Sequence, residues 1–373
     1  MIPQTDPKAA YLAQQAEIDA AIRRVLEGGR YILGEEVSAF EAEFAAYAGA
    51  KQGVAVASGT DALILAFRAL GLGPGDAVFT VSHTAVATVS AIELVGATPV
   101  LLDVDAYYGI DTAQLEKTLA AWPSGAAKPK AIVPVHLYGQ AADMPAIAAI
   151  AGKYGLAIIE DGSQAHGARL GGIGIGHWGQ LTAYSLYPTK NLGAIGDGGI
   201  ITTEDAAVAT RLKELREYGW RDRYVSAITG MNSRLDPLQA AILRVKLTRL
   251  KADTARRQAI AARYDAGLKN LDGISLPATR AGAEPVYHQY VVDVGAARRD
   301  AMREALTKAG VGTLIHYPVP IHLQPAYQGR VPLGVGGLAR TEAAAKGIIS
   351  LPMFPQLSDA QADEVIAAVK RCA

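Results

Sequence analysis

One cysteine, Cys372, lies near the C-terminal edge of 373 residues. That is too few for a disulfide framework or a multi-cysteine metal site, and no metal is expected. Net charge is also missing, since 36 basic residues offset 36 acidic ones. No global field draws the chain to nucleic acid or to an anionic membrane, so an anionic ligand needs a local site. Long hydrophobic runs are lacking too. The best candidate, Thr84 to Leu102, is broken by Glu93 and Pro99 and reads as a helix followed by a strand. The segment Met1 to Ala10 lacks the basic-then-apolar layout of a secretion signal. No repeat, low-complexity tract, helix-turn-helix or basic patch stands out. These absences lead to an expectation of a soluble cytoplasmic protein with neither nucleic acid nor membrane as partner.

What is present is an ordinary globular balance, 50% hydrophobic and 19% charged, in a chain long enough for two domains. Short Val- and Ile-rich runs at Gly53–Ala57, Ala77–Val81, Pro99–Val104, Ala131–Val135 and Leu156–Glu160 predict strands. Amphipathic stretches between them, Asp61–Leu70, Ala85–Val95, Thr112–Ala121 and Met144–Tyr154, predict helices. Such alternation predicts an α/β fold with a mostly parallel sheet flanked by helices, whose ligands sit beyond the carboxyl ends of the strands. The pattern changes after Leu238. Ala240–Leu268 reads as one long connecting helix, followed by a strand at Tyr287–Val294 and helices at Ala297–Ala309 and Asp359–Lys370. The division expected is a large domain over 1–249 and a smaller C-terminal α/β domain over 250–373. The N-terminal segment is a candidate to pack on the smaller one. Gly171–Gly179 reads as a tight loop.

Three segments carry chemistry. Asp161 directly follows a buried run. A lone carboxylate there is usually a cap or a loop ion pair, but it can also partner a pyridinium nitrogen and keep a ring protonated. Lys190 follows Ser185-Leu-Tyr-Pro-Thr and precedes Gly193, Gly196, Gly198 and Gly199. Most loop lysines are solvated. Here glycines let the backbone approach a flat ligand, and a desolvated amine becomes a nucleophile. Ser58-Gly-Thr-Asp61 opens a helix, where a plain N-cap and a phosphate cradle are both readings of the same letters.

A phosphate seat, a ring-nitrogen carboxylate and an imine lysine, in that chain order, resemble the fold-type I, pyridoxal-phosphate-dependent sugar aminotransferases of the DegT/DnrJ/EryC1/StrS family. The resemblance runs from about Gly34 to Val369. Its most specific segments are Glu160-Asp-Gly-Ser-Gln-Ala-His-Gly-Ala168, Ser185-Leu-Tyr-Pro-Thr-Lys-Asn-Leu-Gly-Ala194 with Gly196-Asp-Gly-Gly199, and Gly230-Met-Asn-Ser-Arg-Leu-Asp-Pro-Leu-Gln-Ala-Ala241. It implies that Lys190 forms the internal aldimine with pyridoxal 5'-phosphate and moves the proton in a ping-pong reaction. It implies that Asp161 partners the pyridine nitrogen and that Gln164 approaches the ring and its 3-oxygen. Gly59, Thr60 and Ser185 match the phosphate seat. Asn232 matches an asparagine that reaches the neighbouring subunit's phosphate, which implies a homodimer with shared active sites. The chain departs from the family at Gly162 and Ser163, where Ala or Cys is usual. It departs again at Ala85, where an aromatic commonly stacks on the ring, and His83 is the candidate substitute.

The resemblance further implies a nucleotide-linked keto-deoxysugar as substrate and glutamate as amino donor. His316-Tyr-Pro-Val-Pro-Ile-His-Leu-Gln-Pro-Ala-Tyr327 looks like the matching stretch of members that aminate C-3 of dTDP-linked keto sugars. On that basis His316, Tyr317 and His322 are candidate substrate residues, as are Arg221, Arg223 and Tyr224, which could meet a diphosphate. A Pro-stiffened loop and a solvated arginine face are the bland alternatives. Rival functions are amination at C-4 of a UDP- or GDP-linked 4-keto sugar, a nicotinamide-dependent oxidoreductase built on Gly171-Gly-Ile-Gly-Ile-Gly176, and a non-catalytic regulator.

Overall fold

The computed structural model describes residues 1–373. Its centre is a seven-stranded sheet. In chain order the strands are β1 (Gln52–Val56), β2 (Asp76–Val81), β3 (Thr98–Leu102), β4 (Lys128–Ile132), β5 (Ala157–Asp161), β6 (Leu181–Ser185) and β7 (Gly199–Thr203). They lie in the order β1-β7-β6-β5-β4-β2-β3. Only β7 runs antiparallel to its neighbours. This is the mostly parallel, helix-flanked sheet that the alternation of runs implies. Both faces are covered, one by the cluster around Phe40, Phe79 and Tyr184, the other by that around Leu65, Phe67 and Ile92. Burial on both faces explains why the strands read as continuous apolar runs rather than alternating ones.

Element edges moved where backbone chemistry overrides side-chain pattern. The run Ala131–Val135 is strand only to Ile132, because Pro134 has no N–H to give a neighbouring strand. The single helix expected over Ala240–Leu268 is two, Pro237–Leu247 and Leu250–Leu268. At the break the Thr248 hydroxyl donates to the Val245 carbonyl at 2.7 Å, a local bond that competes with the helical ladder. Gly171–Gly179 begins with a hairpin, Arg169–Leu170 against Ile173–Gly174, turned by Gly171 and Gly172 at φ 59° and 77°. Two left-handed residues suit the tight turn of a twisted hairpin. No helix starts there, so these glycines are no dinucleotide fingerprint.

The C-terminal part pairs β8 (Tyr290–Asp293) with β9 (Ile348–Leu351) and packs them on the helices Leu250–Leu268, Arg299–Lys308 and Asp359–Cys372 around a separate apolar cluster. The N-terminal segment joins this cluster through Ile2, whose N–H donates to the Gly310 carbonyl at 2.8 Å. Two helices near the N-terminus, Gln15–Gly28 and Glu35–Ala48, lie ahead of the strand-helix alternation. No helix is long and apolar enough to cross a membrane.

Candidate active site

The carboxyl ends of β1, β2, β4, β5 and β6 open into a cleft of about 320 Å3, where a parallel sheet presents ligand-binding residues. Ser58, Gly59, Thr60, Asp161, Gln164, Ser185, Lys190, His316 and Tyr317 all line it. Residues far apart in the chain thus meet in one place.

At one end the helix Gly59–Ala69 starts. The Ser58 hydroxyl caps it by accepting from the Asp61 N–H at 3.1 Å. The N–H groups of Gly59 and Thr60 have no acceptor within the chain. They lie at the positive end of the helix beside the cleft, so the cap is formed and the helix start is left open to an anion. A Cβ on Gly59 would lie 2.6 Å from that of Ser185 and close this end of the cleft. Two of the glycines after Lys190, Gly193 and Gly199, are required by close backbone packing. A Cβ on Gly199 would meet the Ser58 carbonyl at 2.2 Å, and one on Gly193 the Pro188 carbonyl at 2.4 Å. They let backbone approach backbone, and so fold the lysine loop against the helix start.

Asp161 is the last residue of β5 and is 4% exposed. Its Oδ2 accepts from the Thr88 hydroxyl at 2.8 Å and its Oδ1 from the Ser163 N–H at 3.1 Å. The preceding residue, Glu160, points to the opposite face, as strand alternation requires. There it accepts from His136 Nε2 at 2.9 Å and from the N–H groups of Gly176, Trp178 and Gly179. Burial alone would raise Glu160, but these donors outweigh it and hold the carboxyl below its usual range. This buried anchor fixes the strand end that carries Asp161.

Lys190 sits half-buried across the cleft, and burial pulls its amine down from 10.5 to about 8 against the opposing pull of Asp161. Two imidazoles share its surroundings. Burial, then the Lys190 charge, lowers His316 to about 4 and puts His288 well below its ordinary value. Both are neutral at physiological pH.

On the remaining wall, Gln164 Oε1 accepts from the Tyr138 N–H at 2.7 Å and its Nε2 donates to the Tyr317 hydroxyl at 3.0 Å. Ala85, Ala87 and Thr88 line the same cleft. His83 does not replace the missing aromatic. It is 0% exposed, absent from the lining, and its Nε2 is tied to the Tyr138 hydroxyl at 2.8 Å. The lining tyrosines are Tyr187, which is 52% exposed, and Tyr317, from the C-terminal part, which is half-buried.

Other expected residues lie elsewhere. His322 is buried away from the cleft, with Nδ1 2.7 Å from Ser82 Oγ and Nε2 3.3 Å from Glu342. It anchors the Pro-rich stretch to the end of β2. Arg221, Arg223 and Tyr224 are exposed on the hairpin Trp220–Ser226, and Arg221 pairs with Glu214 at 3.0 Å. Asn232 is exposed as well and bridges to Glu217. None of these lines the cleft of its own chain. The structure also adds cleft residues that the sequence pattern did not mark: Thr88, His288 and Gln289. His288 and Gln289 precede a strand rather than follow one, so inspecting strand exits passes them by.

The chain matches the DegT/DnrJ/EryC1/StrS aminotransferase family over residues 13–370. It is 47% identical over 373 residues to the dTDP-3-amino-3,4,6-trideoxy-alpha-D-glucose transaminase of Streptomyces venezuelae, spanning 100% of this chain and 96% of that one. The crystal structure of S. venezuelae DesV in complex with a ketimine intermediate superposes with a TM-score of 0.94 at 48% identity, covering 99% of this chain and 98% of that one. The Bacillus subtilis protein ntda, solved with bound cofactor PMP, superposes with a TM-score of 0.87 at 29% identity, covering 96% of this chain and 82% of that one. A match across nearly the whole length, together with a lysine, a carboxylate and a free helix start on one cleft, shows that this chain belongs to the DegT/DnrJ/EryC1/StrS aminotransferase family.

Proposed function

We propose that this protein is a pyridoxal-phosphate-dependent aminotransferase that moves an amino group from L-glutamate to a nucleotide-linked keto-deoxysugar, with a dTDP-linked C-3 ketone as the preferred acceptor. The observation that carries the reading is the convergence of Lys190, Asp161 and the free N–H groups of Gly59 and Thr60 on one cleft. The similarity to a dTDP-sugar transaminase supports the choice of acceptor.

The residues fit the cofactor. Bound pyridoxal phosphate supplies an aldehyde that condenses with amines and a ring that draws electrons from the attached carbon. The N–H groups of Gly59 and Thr60 and the Ser185 hydroxyl would hold its phosphate. The Asp161 carboxylate, oriented by hydrogen bonds from Thr88 and Ser163, would hold a proton on the ring nitrogen. Gln164 would meet the 3-oxygen side. Lys190 Nζ is the nucleophile, and its lowered pKa leaves enough neutral amine to take a proton from the substrate carbon and return it. His316 and Tyr317 would face the sugar.

In the homodimer that the family resemblance implies, Asn232, exposed and outside its own cleft, would complete the partner's site, and Arg221, Arg223 and Tyr224 are free to meet a diphosphate. We place the boundary between a large cofactor domain and a smaller domain at 249/250, between the two helices that replace the expected single one. The cytoplasm is the proposed location.

The test combines a spectrum with a screen. The purified protein should absorb in the visible violet. It should also convert dTDP-linked 3-keto sugars with glutamate, read by mass spectrometry, in preference to UDP- or GDP-linked 4-keto sugars. Preference for the latter would reassign the acceptor. A colourless protein that takes up no cofactor would overturn the whole reading and favour the regulator.

A further inference from the structure

Tyr138 lies beneath the cleft wall and is not part of its lining. Yet each of its polar groups is engaged. Its N–H donates to Gln164 Oε1 at 2.7 Å, and its carbonyl accepts from the Gln289 N–H at 3.3 Å. Its hydroxyl donates to the His316 carbonyl and accepts from His83 Nε2, 2.8 Å away. Gln164, Gln289 and His316 all line the cleft. Gln164 follows β5 of the central sheet, whereas Gln289 and His316 come from the C-terminal part. Gln164 Nε2 in turn reaches the Tyr317 hydroxyl at 3.0 Å, which closes a ring of contacts through Tyr138.

The backbone supports a dedicated role. Tyr138 has φ 59°, a left-handed conformation that is unfavourable for a non-glycine residue and persists only where surroundings enforce it. The conformation lets one residue aim its N–H at Gln164 while its ring points the other way, toward His83 and His316. Tyr138 is 8% exposed, and its ring meets that of Tyr108 edge to face at a centroid distance of 5.1 Å. Because Tyr138 gives its proton to the His316 carbonyl, His83 must present Nε2–H. That leaves His83 Nδ1 as a buried lone pair with no partner. The molecule tolerates that orphan, and what it holds in exchange is the phenol.

We propose that Tyr138 is a positioning residue, which locks the His316–Tyr317 wall contributed by the C-terminal part to the Gln164 wall contributed by the central sheet. This rests on the aminotransferase reading for what the walls bind, but not for the coupling itself. The phenol secures the sugar-facing wall, while the backbone N–H secures Gln164. Loss of the phenol should therefore spare the cofactor and harm the acceptor.

The test is Tyr138→Phe in the full chain, which removes only the hydroxyl. In the cofactor-free protein, amide exchange across residues 314–318 should rise about fivefold, the effect of one lost hydrogen bond, with exchange in β5 unchanged. In the holoenzyme, KM for the keto sugar should rise about fivefold while cofactor affinity and the glutamate half-reaction stay at wild-type values. Tyr317→Phe breaks the same ring of contacts from the other side. In amide exchange of the cofactor-free protein, the double variant should therefore be no more affected than the more affected single one, because residues in one network are not additive. Unchanged exchange at 314–318, or additive losses in the double variant, would overturn the coupling even if transamination is confirmed. Wild-type protein without cofactor absorbance would sink the aminotransferase reading, and the exchange comparison would still decide the role of Tyr138.

Discussion

The Thr88 hydroxyl donates a 2.8 Å hydrogen bond to Asp161 Oδ2 across 73 positions of sequence. Thr88 belongs to the helix Val86–Leu94 and Asp161 to the end of β5, and both line the cleft. A donor on one carboxylate oxygen holds the group in place and fixes the direction of the other. Thr88→Val keeps the shape and removes the donor. It should cost about 1 kcal/mol, or about fivefold in kcat/KM, and weaken cofactor binding, while Thr88→Ser restores both. Steady-state kinetics with cofactor titration checks this. A valine variant with wild-type values would show that Ser163 alone orients Asp161.

Asp161→Asn should damage turnover more than cofactor retention. The amide can still hydrogen-bond but cannot stabilise a protonated ring nitrogen. A lost charge-assisted bond in a water-poor site costs roughly 1.5–3 kcal/mol. Single-turnover rates compared with cofactor dissociation constants measure the split. Wild-type rates would place the ring nitrogen elsewhere.

Lys190→Ala should abolish transamination and the violet absorbance and leave the fold intact. No other lysine lines the cleft. Violet absorbance that survives dialysis, with a pyridoxyl group left covalently on the chain after borohydride reduction, would refute the assignment.

The same amine sets a pH dependence in the cofactor-free protein. Burial lowers Lys190 from 10.5 to about 8, so between those values the unfolded chain keeps a proton that the folded chain has released. Stability then rises with pH across that window, and below it the cost of burying the charge is present in full. Lys190→Met should raise the melting temperature relative to wild type at about pH 7, and this advantage should shrink by about pH 10. An advantage that stays constant would mean that the amine titrates normally.

Asn232 is exposed and outside its own cleft, so its proposed role lies in the partner's site. A twofold interface uses the same patch on both subunits, so a loop that crosses once crosses twice. Mixing inactive Lys190→Ala with inactive Asn232→Ala under subunit exchange places both lesions in one site and none in the other. Activity should return. Proven exchange without recovery would return Asn232 to a role in its own chain.

By itself the sequence determined the sheet and most of the residues that meet in the cleft. Apolar runs spaced by amphipathic stretches can bury both faces only as a helix-covered parallel sheet. Residues at the exits of those strands, Ser58 to Thr60, Asp161 and Ser185, must then gather on one edge, with Lys190 close behind on the loop after β6. The three segments around Ser58, Asp161 and Lys190 pointed to the chemistry because a helix start, a carboxylate and an amine each lie at or just past the end of a strand of the same sheet. What the sequence could not show was orientation. His83 follows a strand as Asp161 ends one, yet it is buried against Tyr138 while Asp161 opens to the cleft. His322 carries the same side chain as His316 within one Pro-rich stretch, yet only His316 faces the cleft. Those choices depend on which packing leaves fewest buried polar groups unpaired, and that depends on neighbours far away in the chain. Thr88, His288 and Gln289 became visible only in three dimensions, for they reach the cleft by packing of the C-terminal part and of a helix side. Strand exits alone do not mark such positions.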